Sequence, residues 1–152
     1  MGEASNVVRL HRVLTAPAER VYRAFIEADA LARWLPPYGI ICTVHASDAR
    51  VGGRSRMSFA NFSTGNGHAF EREYLALEPH TRIVYLDRFD DPNLPGDMKV
   101  TVTLREVVCG TELNIVHENI PDPIPVEMCY LGWQEGLIQL AHLVEPNIPD
   151  NV

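Results

Sequence analysis

The stretch from Val126 to Glu145 places the strongest limit on what this chain can fold into. Apolar residues recur there at Val126, Cys129, Tyr130, Trp133, Leu137, Leu140, Ala141 and Val144, spaced so that they share one face of an α-helix. A helix of this kind gains most of its stability from covering its apolar face. The chain before it supplies one suitable surface, a run of strands with alternating character, and no second helix of comparable length. How completely sheet and helix fill the space between them then decides whether the interior is solid or hollow.

The elements ahead of that helix follow from local chemistry. Val7 to Leu14 alternates as a strand, with Val8, Leu10 and Leu14 on one face and Arg9 and His11 on the other. Thr15 or Ala16 is expected to cap a helix with Pro17 in its first turn, where a missing N–H is harmless, and with Val21, Tyr22, Phe25 and Ile26 inward. A second short helix is expected over Asp29 to Leu35, stopped by Pro36-Pro37. From Gly39 the period becomes alternating: Ile41 to Ala46, Arg54 to Phe62, His68 to Leu77, Ile83 to Phe89, Met98 to Val107 and Glu112 to Asn119 read as strands. Turn chemistry separates them at Asp48–Gly53, Ser63–Gly67, Asp90–Asp97 and Cys109-Gly110. The prolines at 121, 123 and 125 break the sheet before the long helix, and Pro146 to Val152 reads as a frayed tail. Short turns make the strands an antiparallel meander, so the expected class is α+β, with a seven-stranded antiparallel sheet, two short helices after the first strand and a long C-terminal helix. A curved sheet around one helix leaves a pocket wherever the helix does not fill the concavity.

Composition narrows the function classes. At 152 residues and 46% hydrophobic, the chain is expected to form one domain over residues 1–152, with a core from about 8 to 144. A net charge of −7, with Lys99 as the single lysine, argues against a nucleic-acid partner. No apolar run is long enough to cross a bilayer, and the amino terminus lacks a secretory pattern, so no membrane insertion and a cytoplasmic location are expected. Cys42, Cys109 and Cys129 are odd in number and far apart, which points to packed thiols. Gly52-Gly53 has no following Lys-Ser, and no nucleotide fingerprint, Gly-x-Ser-x-Gly or short-spaced metal ligands are present, so no cofactor and no metal are expected.

Five segments in order carry a family resemblance: Ala16 to Phe25, Leu31 to Pro37, Asp48 to Arg54, Gly110 to Glu118, and Gly132-Trp133 with Leu137 and Leu140. Together they resemble the domain of homologues of the activator of the 90-kDa heat-shock-protein ATPase, a branch of the START-like or SRPBCC superfamily. The resemblance implies a helix-grip fold, with the sheet wrapped around the C-terminal helix, and a cavity for a hydrophobic small molecule. Some relatives are cyclases, aromatases or hydroxylase components. The eukaryotic co-chaperone has an additional amino-terminal domain that is not found here, so chaperone activation is not the expectation. Arg72 stands where many relatives have glycine, and is expected to alter strand packing or a cavity edge.

Taking the more apolar side of each strand as inward selects Ser55, Met57 and Phe59, then Glu71, Glu73, Leu75 and Leu77, then Ile83, Tyr85, Asp87 and Phe89, then Leu113, Ile115 and His117. Trp34, Met128, Trp133 and Leu137 are expected on the opposite wall. The ligand-binding candidates are therefore Trp34, Met57, Phe59, Glu73, Leu75, Tyr85, Phe89, Ile115, His117, Met128, Trp133 and Leu137. An inward Glu73 would have a raised pKa, and a histidine such as His117 ordinarily titrates near neutrality, so Glu73, His117, Asp87 and Tyr85 are the candidates for proton transfer. A metal site from His45, His117 and Glu73 has no spacing in its favour. The leading expectation is a binder of a small hydrophobic or aromatic molecule. The alternatives are a cyclase or aromatase-type enzyme, and an interaction module such as a homodimer or chaperone partner.

Overall fold

A computed structural model of the chain describes residues 6–150. The element order is β1 (Val8–Leu14), α1 (Ala18–Ile26), α2 (Ala28–Trp34), β2 (Ile40–Ala46), β3 (Arg54–Asn61), β4 (Gly67–Glu78), β5 (Arg82–Phe89), β6 (Met98–Val107), β7 (Gly110–Glu118) and α3 (Val126–Val144). The strands form one seven-stranded antiparallel sheet in the order β1-β7-β6-β5-β4-β3-β2. Consecutive strands pair from β2 to β7, and β1 closes the other side of β7 with Val8 opposite His117 and Leu14 opposite Thr111. This is the α+β class expected from the periodicity, in the helix-grip-like form that the resemblance implies. Of the tail, Asn151 and Val152 lie outside the described residues, as do residues 1–5.

The two short helices differ in detail from expectation. Pro17 itself is the N-cap of α1, in extended conformation, and neither Thr15 nor Ala16 caps it. Glu27 ends α1 and begins α2, so the helices meet at a single residue without a side-chain cap. That junction holds because Phe25 and Trp34 stack edge to face at 4.8 Å and the Trp34 indole N–H donates to the Ala24 carbonyl at 2.8 Å. Gly110, at φ +148°, lets the β6–β7 hairpin come close over the end of β1, where a Cβ would meet the Leu14 carbonyl. Thr111 then donates its hydroxyl to the Ala16 carbonyl at 2.7 Å, fixing the start of α1 against the sheet.

The long helix is buried unevenly, and this shapes the interior. Leu137, Leu140 and Val144 in its second half enter the core with Val21, Phe25, Val102 and Leu113. In its first half Cys129 and Trp133 are only partly buried, and Tyr130, assigned to the inner stripe from periodicity, is 38% exposed. Gly136 brings α3 close to the end of α2: a Cβ there would lie 3.2 Å from the carbonyls of Trp34 and Leu35. The helix is thus clamped to the sheet at one end and stands off from it at the other.

Candidate functional site

The space under the first half of α3 is a cavity of about 250 Å³. The sheet contributes Phe59 from β3, His68, Phe70 and Arg72 from β4, Tyr85, Asp87 and Phe89 from β5, Met98 from β6 and His117 from β7. Met128, Cys129, Gly132 and Trp133 form the helical wall, and Leu35 and Pro37 close the side next to α2. Ile120 and Ile124 complete it from the segment before α3. Asn119, at φ +60°, turns the chain out of β7, and its side-chain amide donates to the Asp97 carbonyl at 2.8 Å. That turn carries the two isoleucines over the cavity. Phe70 meets Phe59 and Phe89 edge to face along the floor.

One ion pair lies within this apolar lining. Arg72 Nε and Nη2 donate to the two carboxylate oxygens of Asp87 at 2.8 and 3.0 Å, and the guanidinium carbon lies 3.6 Å from the Tyr85 ring centroid. The Arg72 side chain is 2% exposed and that of Asp87 11%. Burial disfavours the Arg72 charge, but Asp87 and the neighbouring tyrosines outweigh it and hold the pKa above the ordinary arginine value. Burial also raises the Tyr85 phenol, partly opposed by Arg72.

His117 forms the second polar group. The Trp133 indole N–H donates to its Nδ1 at 2.9 Å, so Nδ1 is the unprotonated acceptor and the ring proton sits on Nε2, 3.3 Å from the Met98 sulfur. Burial pushes its pKa down to about 4, so the ring is neutral near pH 7. The Cys129 thiol approaches the same Nδ1 at 3.6 Å and is itself raised by burial to about 11. Neither a free imidazole lone pair nor a thiolate is available here for proton or nucleophilic work at neutral pH.

The residues selected from sequence separate into three groups. Phe59, Tyr85, Phe89, His117, Met128 and Trp133 border the cavity, as does Asp87. Trp34, Met57, Ile115 and Leu137 are buried at 2% exposure or less but belong to the solid core and do not border it. Glu73 and Leu75 are corrections: both point outward, Leu75 at 41% exposure and Glu73 with its carboxylate 3.8 Å from Arg54 Nη2. Glu71, expected on the same inner face, pairs with Arg54 at 3.2 Å. The cause is a bulge in β4 between Tyr74 and Ala76, where the pairing with β5 shifts by one residue. Apolar Leu77 lies on the inner side after the bulge, whereas Phe70, Arg72 and Tyr74 are the inward residues before it. His45 is exposed and bonded to the Ser58 hydroxyl, so His45, His117 and Glu73 do not converge.

Sequence reasoning missed Leu35, Pro37, His68, Phe70, Met98, Ile120, Ile124, Cys129 and Gly132 as cavity residues, and identified Arg72 only as a departure from a family pattern. Phe70 and Tyr74 were the available signal on β4: two aromatics four residues apart, on the parity opposite to Leu75 and Leu77.

The family model for activator of Hsp90 ATPase homolog 1-like protein matches residues 15–145. Among solved structures, protein CV1439 from Chromobacterium violaceum is 59% identical, with 94% of this chain and 99% of that one covered and a TM-score of 0.93. Protein NE0264 from Nitrosomonas europaea is 22% identical, covering 92% and 94% with a TM-score of 0.75. The AHSA1-like protein from Aeromonas hydrophila is 22% identical, covering 90% of each chain with a TM-score of 0.72. At that identity the last two speak to the fold alone. A search of curated proteins gives no match.

Proposed function

The chain belongs to the activator of Hsp90 ATPase homolog 1-like family, of START-like fold, and from that premise we propose that it binds a small hydrophobic or aromatic molecule without covalent chemistry. The observation that carries this reading is the aromatic and aliphatic lining of the cavity beneath Trp133, with a single ion pair set into it. Apolar walls with few fixed polar groups are what small-molecule sites share. The polar groups support binding over proton transfer: both carboxylate oxygens of Asp87 accept from Arg72, through Nε and Nη2, and His117 accepts from Trp133.

Gly132 gives the test, because it borders the cavity and a Cβ there would meet only the Pro37 side chain, at 3.4 Å. Gly132→Leu should fill the cavity without unfolding the chain. In a thermal-shift screen of two-ring aromatic molecules, a ligand at a hundred times its Kd adds about 2.7 kcal/mol of stability, and Gly132→Leu should abolish that shift. An equal shift in both proteins, or none in either across the panel, refutes the proposal.

A specific observation favours one other reading. Leu131 and Ile138 are exposed on α3 at 56% and 46%, as an interaction surface would require. Light scattering at rising concentration separates self-association from a monomer.

A further inference from the structure

Of the two halves of the buried ion pair, the carboxylate is the one turned to the cavity. Asp87 lies on an inner strand, opposite Arg72 on β4 and Met98 on β6. Its side chain shares the concave face of β5 with Tyr85 and Phe89, which border the cavity as it does, while Leu86 and Arg88 take the outer face. The 11% of the Asp87 side chain that is exposed therefore opens to the cavity, whereas the neighbouring Arg72 side chain, at 2%, is covered.

That carboxylate has acceptor sites to spare. Oδ1 accepts from Arg72 Nε and Oδ2 from Nη2, and a carboxylate offers about four lone-pair sites. No other group among the described residues donates to it. Water can meet the remaining sites while the cavity is open. A molecule that fills the cavity takes that water's place, and must donate in its stead or leave the carboxylate short of a hydrogen bond. The other polar groups make no opposite demand: the Trp133 N–H is bonded to His117, whose own N–H faces the Met98 sulfur, and the Tyr85 hydroxyl can donate or accept. The charge of the donor follows too. Arg72 already balances Asp87, and the imidazoles of His68 and His117, held by burial below the ordinary histidine pKa, stay neutral near pH 7. A ligand ammonium would add an unbalanced positive charge among Phe70, Phe89 and Ile120, and a ligand carboxylate a second anion. A phenol hydroxyl or an aryl N–H donates without either cost.

We infer that the occupant is an uncharged aromatic molecule with an O–H or N–H that donates a hydrogen bond to the Asp87 carboxylate. This contact sets its orientation between the Phe89 floor and the Trp133 wall. The inference rests on the cavity-binding reading above and narrows its ligand class.

Isothermal titration with naphthol, methoxynaphthalene and methylnaphthalene, which share one ring system, tests it. Methoxynaphthalene keeps the oxygen as an acceptor without the donor, and methylnaphthalene matches the hydroxyl in bulk with neither. Naphthol should bind about ten- to a hundredfold more tightly than either. The paired variant Arg72→Met with Asp87→Leu removes both charges at once, so neither is left buried alone, and should lose that preference. If the unaltered chain binds methoxynaphthalene or methylnaphthalene as tightly as naphthol, the inference fails and the cavity reading stands. A naphthol preference that survives in the folded paired variant also overturns it. If none of the three probes binds, both fail. Should the paired variant not fold, the three-probe comparison on the unaltered chain decides alone.

Discussion

Separating Arg72 from Asp87 tests how the interior tolerates its charges. In Asp87→Leu, the guanidinium keeps its place on Tyr85, 2% exposed, with Nε and Nη2 joining Nη1 as donors without acceptors. In Arg72→Met, the carboxylate is left in an apolar cavity lining, 11% exposed. Removing one partner of a buried pair costs about 3–5 kcal/mol. For a chain of this size each kcal/mol corresponds to about 2–4 °C in Tm, so each single variant should melt roughly 6–20 °C lower. The double variant replaces both with apolar side chains of similar bulk, and the expected outcome lies within about 2 kcal/mol of the unaltered protein, in either direction. Urea unfolding of all four proteins, followed by circular dichroism without ligand, gives the coupling directly. Single effects that add to give the double, or single variants costing under about 1 kcal/mol, would show that the pair behaves as a solvated surface bridge and that the cavity is not the apolar setting described.

Two further outcomes follow from the same geometry. His117 is depressed to about 4 from the usual 6.5, so between those values the unfolded chain takes up a proton that the native chain does not. Its contribution is complete above pH 6.5 and is lost as pH falls towards 4. This amounts to about 3 kcal/mol, and His117→Gln should flatten that part of the stability-against-pH curve; an unchanged slope would contradict the burial of the ring. Glu73→Ala, at an outward position beside Arg54, should change stability by no more than about 0.5 kcal/mol and leave ligand affinity unaltered; a large loss of binding would restore Glu73 to the cavity.

Periodicity in the sequence was enough to place the seven strands and three helices of the described residues, because most strands keep their apolar parity and α3 keeps its helical stripe. It failed on β4, for a reason internal to that strand. Counting back from Glu78 opposite Arg82, an unbroken ladder would set Arg72 against Arg88, a pairing of like charges. The bulge moves Arg72 to face Asp87 instead and turns Glu73 outward. Nothing local at Tyr74 to Ala76 announces the bulge. Tyr74 bonds through both its backbone N–H and carbonyl to Gly53 and Gly52 of the distant β2–β3 turn, so the irregularity belongs to tertiary contact. The segment Ile120 to Ile124 was read only as a sheet breaker, since three prolines mask two apolar residues whose direction depends on the turn at Asn119. Trp34, by contrast, looked like a ligand contact because it is aromatic and near the helix stop, yet its indole is fully engaged with Ala24 and Phe25.

Isotope-filtered nuclear Overhauser spectra of the protein with naphthol would locate a bound ring system atom by atom. Contacts to Phe89, the Met128 methyl and the Trp133 indole together are the predicted result, since these three side chains border the hollow from the floor and the helical wall. Contacts confined to Leu131 and Ile138 on the outer face of α3 would mean that the ring binds outside and the interior takes no ligand.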